Sequence, residues 1–169
     1  MEYIYNSPVG KLLIIYDDAH ICGVYFDKEQ SEEYQPNAII TKCITQLDEY
    51  FAGTRDKFDV STKPKGTDFQ KTTWAALCTI GYGKTVSYGD IATQIGNPKA
   101  PRAVGMANNK NPISIIIPCH RVVGASGKLV GYGGGLWRKE WLLEHEARIA
   151  QKIENGGTTN EFGDNHQRV

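Results

Sequence analysis

The hydrophobic pattern changes period partway along the chain, and that change limits the folds open to it. Segments 2–6, 11–17 and 21–26 are rich in Tyr, Ile, Leu, Val and Phe, and are separated by Ser7-Pro8-Val9-Gly10 and Asp17-Asp18-Ala19-His20. Short apolar runs between turn formers predict an antiparallel meander. Residues 38–52 instead set Ile39, Ile40, Cys43, Ile44, Leu47, Tyr50 and Phe51 at helical spacing, with Gly53 as the stop. Phe58-Asp59-Val60 is expected to return to the sheet as one more strand, and Ser61 to Gly66 reads as a linker.

From Thr67 onward the periodic segments are helical. Thr67-Asp68-Phe69-Gln70 is a capping box, followed by Phe69, Thr73, Ala76, Leu77 and Ile80 on one face, with Gly81-Tyr82-Gly83 as the stop. Ser87-Tyr88-Gly89-Asp90 opens a second, short helix that ends at Gly96, and Pro101 suits the first turn of a third, over about 100–109. Two short helices joined by Gly96-Asn97-Pro98-Lys99 have the proportions of a helix-turn-helix. A last helix is expected from Leu136 to about Ile149. The class is therefore α+β: an N-terminal domain over 1–65, a helical domain over 66–150 and a polar, poorly packed tail over 151–169.

The formal net charge of the 169 residues is zero, so no uniform field attracts a polyanion. Yet residues 82–139 carry Lys84, Lys99, Arg102, Lys110, Arg121, Lys128, Arg138 and Lys139 against Asp90, which points to a local anionic partner. The longest apolar runs are about five residues, too short for a membrane span, and Met1-Glu2-Tyr3 begins no signal-peptide pattern. A cytoplasmic protein with reduced thiols is expected. Cys22, Cys43 and Cys78, with His20, lack metal-ligand spacing, and neither a metal nor a cofactor is expected.

The chemistry concentrates in Ile117-Pro118-Cys119-His120-Arg121, at the end of the apolar run Ile113 to Ile117. A thiol becomes a nucleophile when a base or a positive environment removes its proton. In an extended segment the Cys119 and His120 side chains would point to opposite faces, so cooperation needs a water relay or a turn at Pro118. The imidazole would in turn need a carboxylate, for which Glu140, Glu144 and Glu146 are candidates. Spacing alone equally fits a buried structural cysteine beside a surface histidine.

Ile117-Pro-Cys-His-Arg-Val-Val123 resembles the active-site signature of the O6-alkylguanine-DNA alkyltransferases, the methylated-DNA–protein-cysteine methyltransferases. Val86-Ser-Tyr-Gly-Asp-Ile-Ala92, Gly96 to Gly105, Asn111-Pro112, Gly131-Tyr-Gly-Gly-Gly-Leu136 and Lys139 to Glu146 follow in that family's order and spacing. The specific part covers about residues 67–147. The N-terminal portion matches in architecture, a ribonuclease H-like sheet with helix.

The resemblance implies a suicide reaction in which an O6-alkylguanine is flipped out of double-stranded DNA and its alkyl group passes irreversibly to Cys119. It assigns His120 and Glu146 as the activating relay through water, Asn111 as a brace of the active-site turn and Tyr88 as proton donor to the departing guanine. Arg102 would fill the gap left by the flipped nucleotide, and Ala103, Ser87, Lys99, Arg121 and Tyr88 would contact DNA. Tyr132, Gly133, Ser114 and the Val130 carbonyl would line the base pocket. Ser114 and Gly133 stand where some members have proline and serine, which implies a roomier pocket, tolerant of bulkier alkyl groups or of O4-alkylthymine. The same likeness implies a monomer in solution that can bind DNA cooperatively. Three rivals are a non-enzymatic lesion binder, which Cys119 argues against; a transcription factor, which lacks a four-cysteine module here; and a cysteine hydrolase, which would turn over with water.

Overall fold

The computed structural model describes residues 1–156. The meander forms as expected: β1 (Glu2–Ser7), β2 (Gly10–Tyr16) and β3 (Ile21–Phe26) make an antiparallel sheet in the order β1-β2-β3. The register sets Tyr5 opposite Leu12 and Ile14 opposite Val24. The central strand buries Leu12, Leu13, Ile14 and Tyr16, so both of its faces are covered.

Helix α1 (Ala38–Ala52) starts at Asn37, whose side chain accepts from the Ile40 N–H, and turns Ile40, Cys43, Leu47 and Tyr50 inward. Gly53, at φ 83°, closes it through bonds from Gly53 N–H to Tyr50 C=O and from Thr54 N–H to Glu49 C=O. A left-handed terminal residue of this kind is far less costly for glycine than for a residue with a Cβ.

Residues 58–60 do not form a strand. The backbone reaches the sheet two residues later, where Thr62 bridges Ile21 in parallel. Val60 is instead used as a core side chain.

The helical part begins with α2 (Asp68–Leu77), under a complete capping box between Thr67 and Gln70. It ends at Leu77, before the expected glycines, and Ile80 joins the core from the following turn. Strand β4 (Val86–Ser87) leads into α3 (Tyr88–Gln94), and α4 (Pro101–Asn109) follows across Gly96. Trp74 of α2 donates its indole N–H to Ala107 C=O at 2.8 Å, fixing α2 to α4. Strand β5 (Val122–Val123) pairs in parallel with β4, a contact the sequence did not announce.

Helix α5 (Leu136–Glu154) runs past Ile149. Its first residues, Leu136 and Trp137, are exposed, although Leu136 fitted the apolar period. The rest of the expected tail, from residue 157, lies outside the described residues. Among the described residues no helix is long and apolar enough to cross a membrane.

Sheet and helices share one core. Val24 of β3 donates its N–H to Pro112 C=O and accepts from Ser114 N–H, at 2.9 and 3.2 Å. The segment leading to Cys119 is thereby stitched along the sheet edge. Because α2 supplies a wall of this core, its cap contributes to global stability. Thr67→Ala is expected to cost about 0.5–2 kcal/mol, read as a lower urea midpoint with an unchanged m-value.

Candidate active site

The approach to Cys119 is a succession of tight turns. Ile115 has φ 72°, a left-handed value that is costly for a β-branched residue, and Ile116 N–H closes on Ser114 C=O at 2.8 Å. Cys119 N–H bonds Ile117 C=O across Pro118, also at 2.8 Å, and Cys119–Arg121 then form a single 3-10 turn. The segment is thus not extended, and the turn at Pro118 is the arrangement present. Asn111 holds it from beneath: its Nδ2 donates to Ile117 C=O at 2.8 Å, and its Oδ1 accepts from Ile113 N–H at 3.0 Å.

Glu146, the inward carboxylate of α5, is the one of the three candidates that is buried. His120 Nε2 lies 2.7 Å from Glu146 Oε2. A carboxylate only accepts, so Nε2 carries the proton and Nδ1 has the free lone pair. Nδ1 is buried and has no hydrogen-bond partner. The carboxylate also takes Arg121 Nε at 2.8 Å and Nη2 at 3.1 Å, the Tyr50 hydroxyl at 2.6 Å and Gly83 N–H at 3.2 Å.

Burial would raise the Glu146 pKa, but His120 and Arg121 outweigh it and hold the group well below the usual carboxylate range. Burial lowers the His120 pKa, with Glu146 pulling it partway back. Burial likewise raises that of Cys119, against the Asn111 amide, the Lys139 charge and the Tyr132 hydroxyl, which lower it. The Tyr132 hydroxyl faces the sulfur. At rest, therefore, the site holds a neutral thiol and a neutral imidazole.

A cavity of about 300 Å³ opens onto Cys119, walled by Phe26, Asn108, Asn111, Ser114, Tyr132 and Gly133. This matches the lower end of small-molecule pockets and suits one nucleobase. A larger one of about 430 Å³, beside Phe58, Ile80 and Arg121, has no wall formed by Cys119. Gly134 keeps the near wall thin, since a Cβ there would lie 2.5 Å from the Phe26 ring.

The Val130 carbonyl accepts both the Tyr88 hydroxyl, at 3.1 Å, and Lys139 Nζ, at 2.9 Å. It ties the first residue of α3 to the pocket loop and to α5. Burial lowers the Lys139 pKa to about 8, and the charge is close enough to Cys119 to favour its thiolate.

Arg102, Ala103 and Lys99 are exposed on or before α4, and Ser87 caps α3 through the Asp90 N–H. Arg121 does not belong with them. It is buried, bound to Glu146 and to Ile80 C=O, and so is not available to DNA. Arg138 and Lys139 are buried as well, which leaves Lys84, Lys99, Arg102, Lys110 and Lys128 as the exposed part of the basic surplus.

Sequence reasoning missed Tyr50, Lys139 and Asn108, whose amide donates to Cys119 C=O at 3.3 Å. A signal existed for Lys139, which falls on the same helical face as Leu142 and Glu146. Tyr50 sat in an apolar stripe and read as core.

A relay-backed thiol beneath a base-sized pocket, beside a helix-turn-helix, defines a nucleic-acid-directed cysteine transferase. The family model described as 6-O-methylguanine DNA methyltransferase, DNA binding domain, matches residues 68–148, and its ribonuclease-like domain matches residues 1–64. The methylated-DNA–protein-cysteine methyltransferase of Methanosarcina acetivorans is 49% identical over 149 residues, 85% of this chain and 96% of that protein. The crystal structure of Mycobacterium tuberculosis OGT in complex with DNA aligns with TM-score 0.80 and 47% identity, over 86% of this chain and 92% of that one. An O6-methylguanine DNA methyltransferase from Methanococcus jannaschii aligns with TM-score 0.63 and 31% identity, over 86% and 93%. The chain belongs to the 6-O-methylguanine DNA methyltransferase family.

The relay also predicts acid lability. Glu146 has a lowered folded-state pKa, so its contribution is complete above the unfolded value of about 4.5 and is lost as pH falls below it. His120, also lowered, acts in the same direction from about 6.5 downward. Glu146→Gln strands the Arg121 charge and is expected to cost about 3–5 kcal/mol at pH 7. Urea unfolding should show that gap narrowing at pH 3; a gap of constant size would contradict this account.

Proposed function

We propose that this chain repairs O6-alkylguanine in double-stranded DNA by taking the alkyl group onto Cys119, once per molecule. The observation that carries the reading is the buried Cys119, with His120 hydrogen-bonded to Glu146 behind it, opening onto a cavity sized for one base. A base reaches such a cavity only by leaving the stack, which costs a few kcal/mol, and Arg102, exposed in the first turn of α4, is placed to occupy the gap.

In the reaction the Cys119 proton passes through a water to His120 Nδ1, and Glu146 stabilises the imidazolium. The thiolate attacks the alkyl carbon, an S–C bond forms and the C–O6 bond breaks. The departing guanine takes a proton from Tyr88, which is restored from His120 or solvent. A base that bonds the Val130 carbonyl displaces the Tyr88 hydroxyl from it, which frees the phenol for this donation. The thioether has no labile bond, so the protein is spent.

Residues 1–65 serve as the supporting domain and 66–150 as the DNA-binding and transfer domain. Asn111 braces the turn, and Tyr132, Val130, Gly133 and Ser114 receive the base. With the small Ser114 and Gly133 in the wall, bulkier alkyl groups and O4-alkylthymine are within its range. The protein is a monomer in solution that can bind DNA cooperatively, and it needs no cofactor.

Incubation with O6-methylguanine DNA should add one methyl to the intact mass and then stop. Cys119→Ala should abolish the gain yet keep DNA binding; methylation of another cysteine in this variant, or turnover with water, defeats the proposal. Arg102→Ala should slow repair of duplex DNA by roughly 100-fold, a few kcal/mol at about 1.4 per tenfold. Its reaction with free O6-benzylguanine should stay near wild type, since that base needs no flipping. Equal losses on both substrates would remove the wedge role.

A further inference from the structure

Tyr50 stands outside the residues assigned to the reaction, yet its hydroxyl is in direct contact with the relay. It belongs to α1, in the N-terminal part of the chain, and is fully buried. Its ring packs among Phe51, Phe58, Tyr82 and His145. Core packing asks only for that ring, and a phenylalanine would supply it. The hydroxyl instead donates to Glu146 Oε2 at 2.6 Å, the same oxygen that holds His120 Nε2 at 2.7 Å.

We propose that Tyr50 is a positioning residue for alkyl transfer: by sharing Glu146 Oε2 with His120, its hydroxyl sets how readily His120 accepts the Cys119 proton. The inference rests on the transfer reading above and extends the active site into the N-terminal part of the chain. A carboxylate oxygen that already accepts a strong O–H donor has less negative charge to offer an imidazolium. Tyr50 therefore restrains the relay, and it fixes the Glu146 rotamer that aims His120.

The charged and titratable groups around this pair are few. Arg121 faces it from the 3-10 turn, Tyr82 from the loop after α2, Tyr132 from the pocket loop, and Lys139 and His145, with Arg148 beside it, from α5 itself. Arg121 is bound to both carboxylate oxygens, so removing the Tyr50 hydroxyl leaves the ion pair intact and changes one donor.

The sign follows from the resting state, in which thiol and imidazole are both neutral. Tyr50→Phe strengthens the hold of Glu146 on an imidazolium, so the His120 pKa rises. The acid limb of the pH–rate profile then moves upward, and the rate on its plateau increases, because more of the protein holds the imidazolium–thiolate pair. A rise of one unit corresponds to about a tenfold larger ion-pair fraction.

His120 is titrated by NMR in ring-labelled protein without DNA, a readout independent of alkyl transfer. The rate with free O6-benzylguanine is followed over the same pH range. Tyr50→Phe should raise the His120 pKa by roughly half to one unit and shift the acid limb with it. Fluorotyrosine placed at position 50 is a stronger donor and keeps the fold, and it should move both in the opposite direction. An unchanged titration in both variants, or shifts of the reverse sign, overturns the proposal, including any outcome in which only stability falls. If His120 shifts as stated while wild-type protein takes no alkyl group from DNA or free base, the transfer reading fails and the coupling of Tyr50 to His120 stands.

Discussion

Glu146 accepts hydrogen bonds from Tyr50, Gly83, His120 and Arg121, and it does so with no exposure to solvent. A buried carboxylate survives only where paired charge and full hydrogen bonding replace water. Arg121 supplies the charge, and the remaining donors arrive from α1, from the loop after α2 and from the 3-10 turn. Four separate stretches of chain must therefore be in place before the anion is tolerated. Such a centre adds little net stability compared with an apolar one, but wrong arrangements around it are costly. The same constraint that fixes the fold also fixes the orientation of His120.

The turn beneath the thiol has a comparable economy. Ile115 adopts a backbone conformation that a β-branched residue avoids, and it is buried together with Ile113, Ile116 and Ile117. Their burial, the Val24 bridge to β3 and the two Asn111 bonds over-determine the strained geometry. What results is a rigid rim that presents Cys119 at the end of a close-packed segment. Adding a group to the sulfur enlarges a side chain where packing leaves one cavity, on the pocket side. The added group therefore has room toward the pocket and none toward the close-packed turn.

Much of this was legible in the chain. The meander, the Gly53 stop and both capping boxes depend on local chemistry, and local chemistry is what a single sequence displays. Phe58 to Val60 misled because an apolar triplet after a helix fits a strand or a core anchor equally well, and neighbours decide between them. Arg121 misled for a related reason: a surplus of basic residues says that positive charge is present, not that it faces outward. The partners Tyr50 and Glu146 are 96 residues apart, and nothing near either residue marks the contact. The family resemblance named the reacting residues; the donors that tune them emerged only from packing.

The resting thiol also bears on selectivity among the four cysteines. Cys43 is pushed up to about 12 by burial, and burial raises Cys22 and Cys78 as well, so none is a standing thiolate. Cys119 is raised by the same cause. Its distinction lies in what surrounds it: a base with a free lone pair, a cation at Lys139, and a cavity that can hold the alkyl donor. A pre-formed thiolate would react with soluble electrophiles and oxidants, and each such event would waste the molecule. A thiol that keeps its proton at rest avoids that loss.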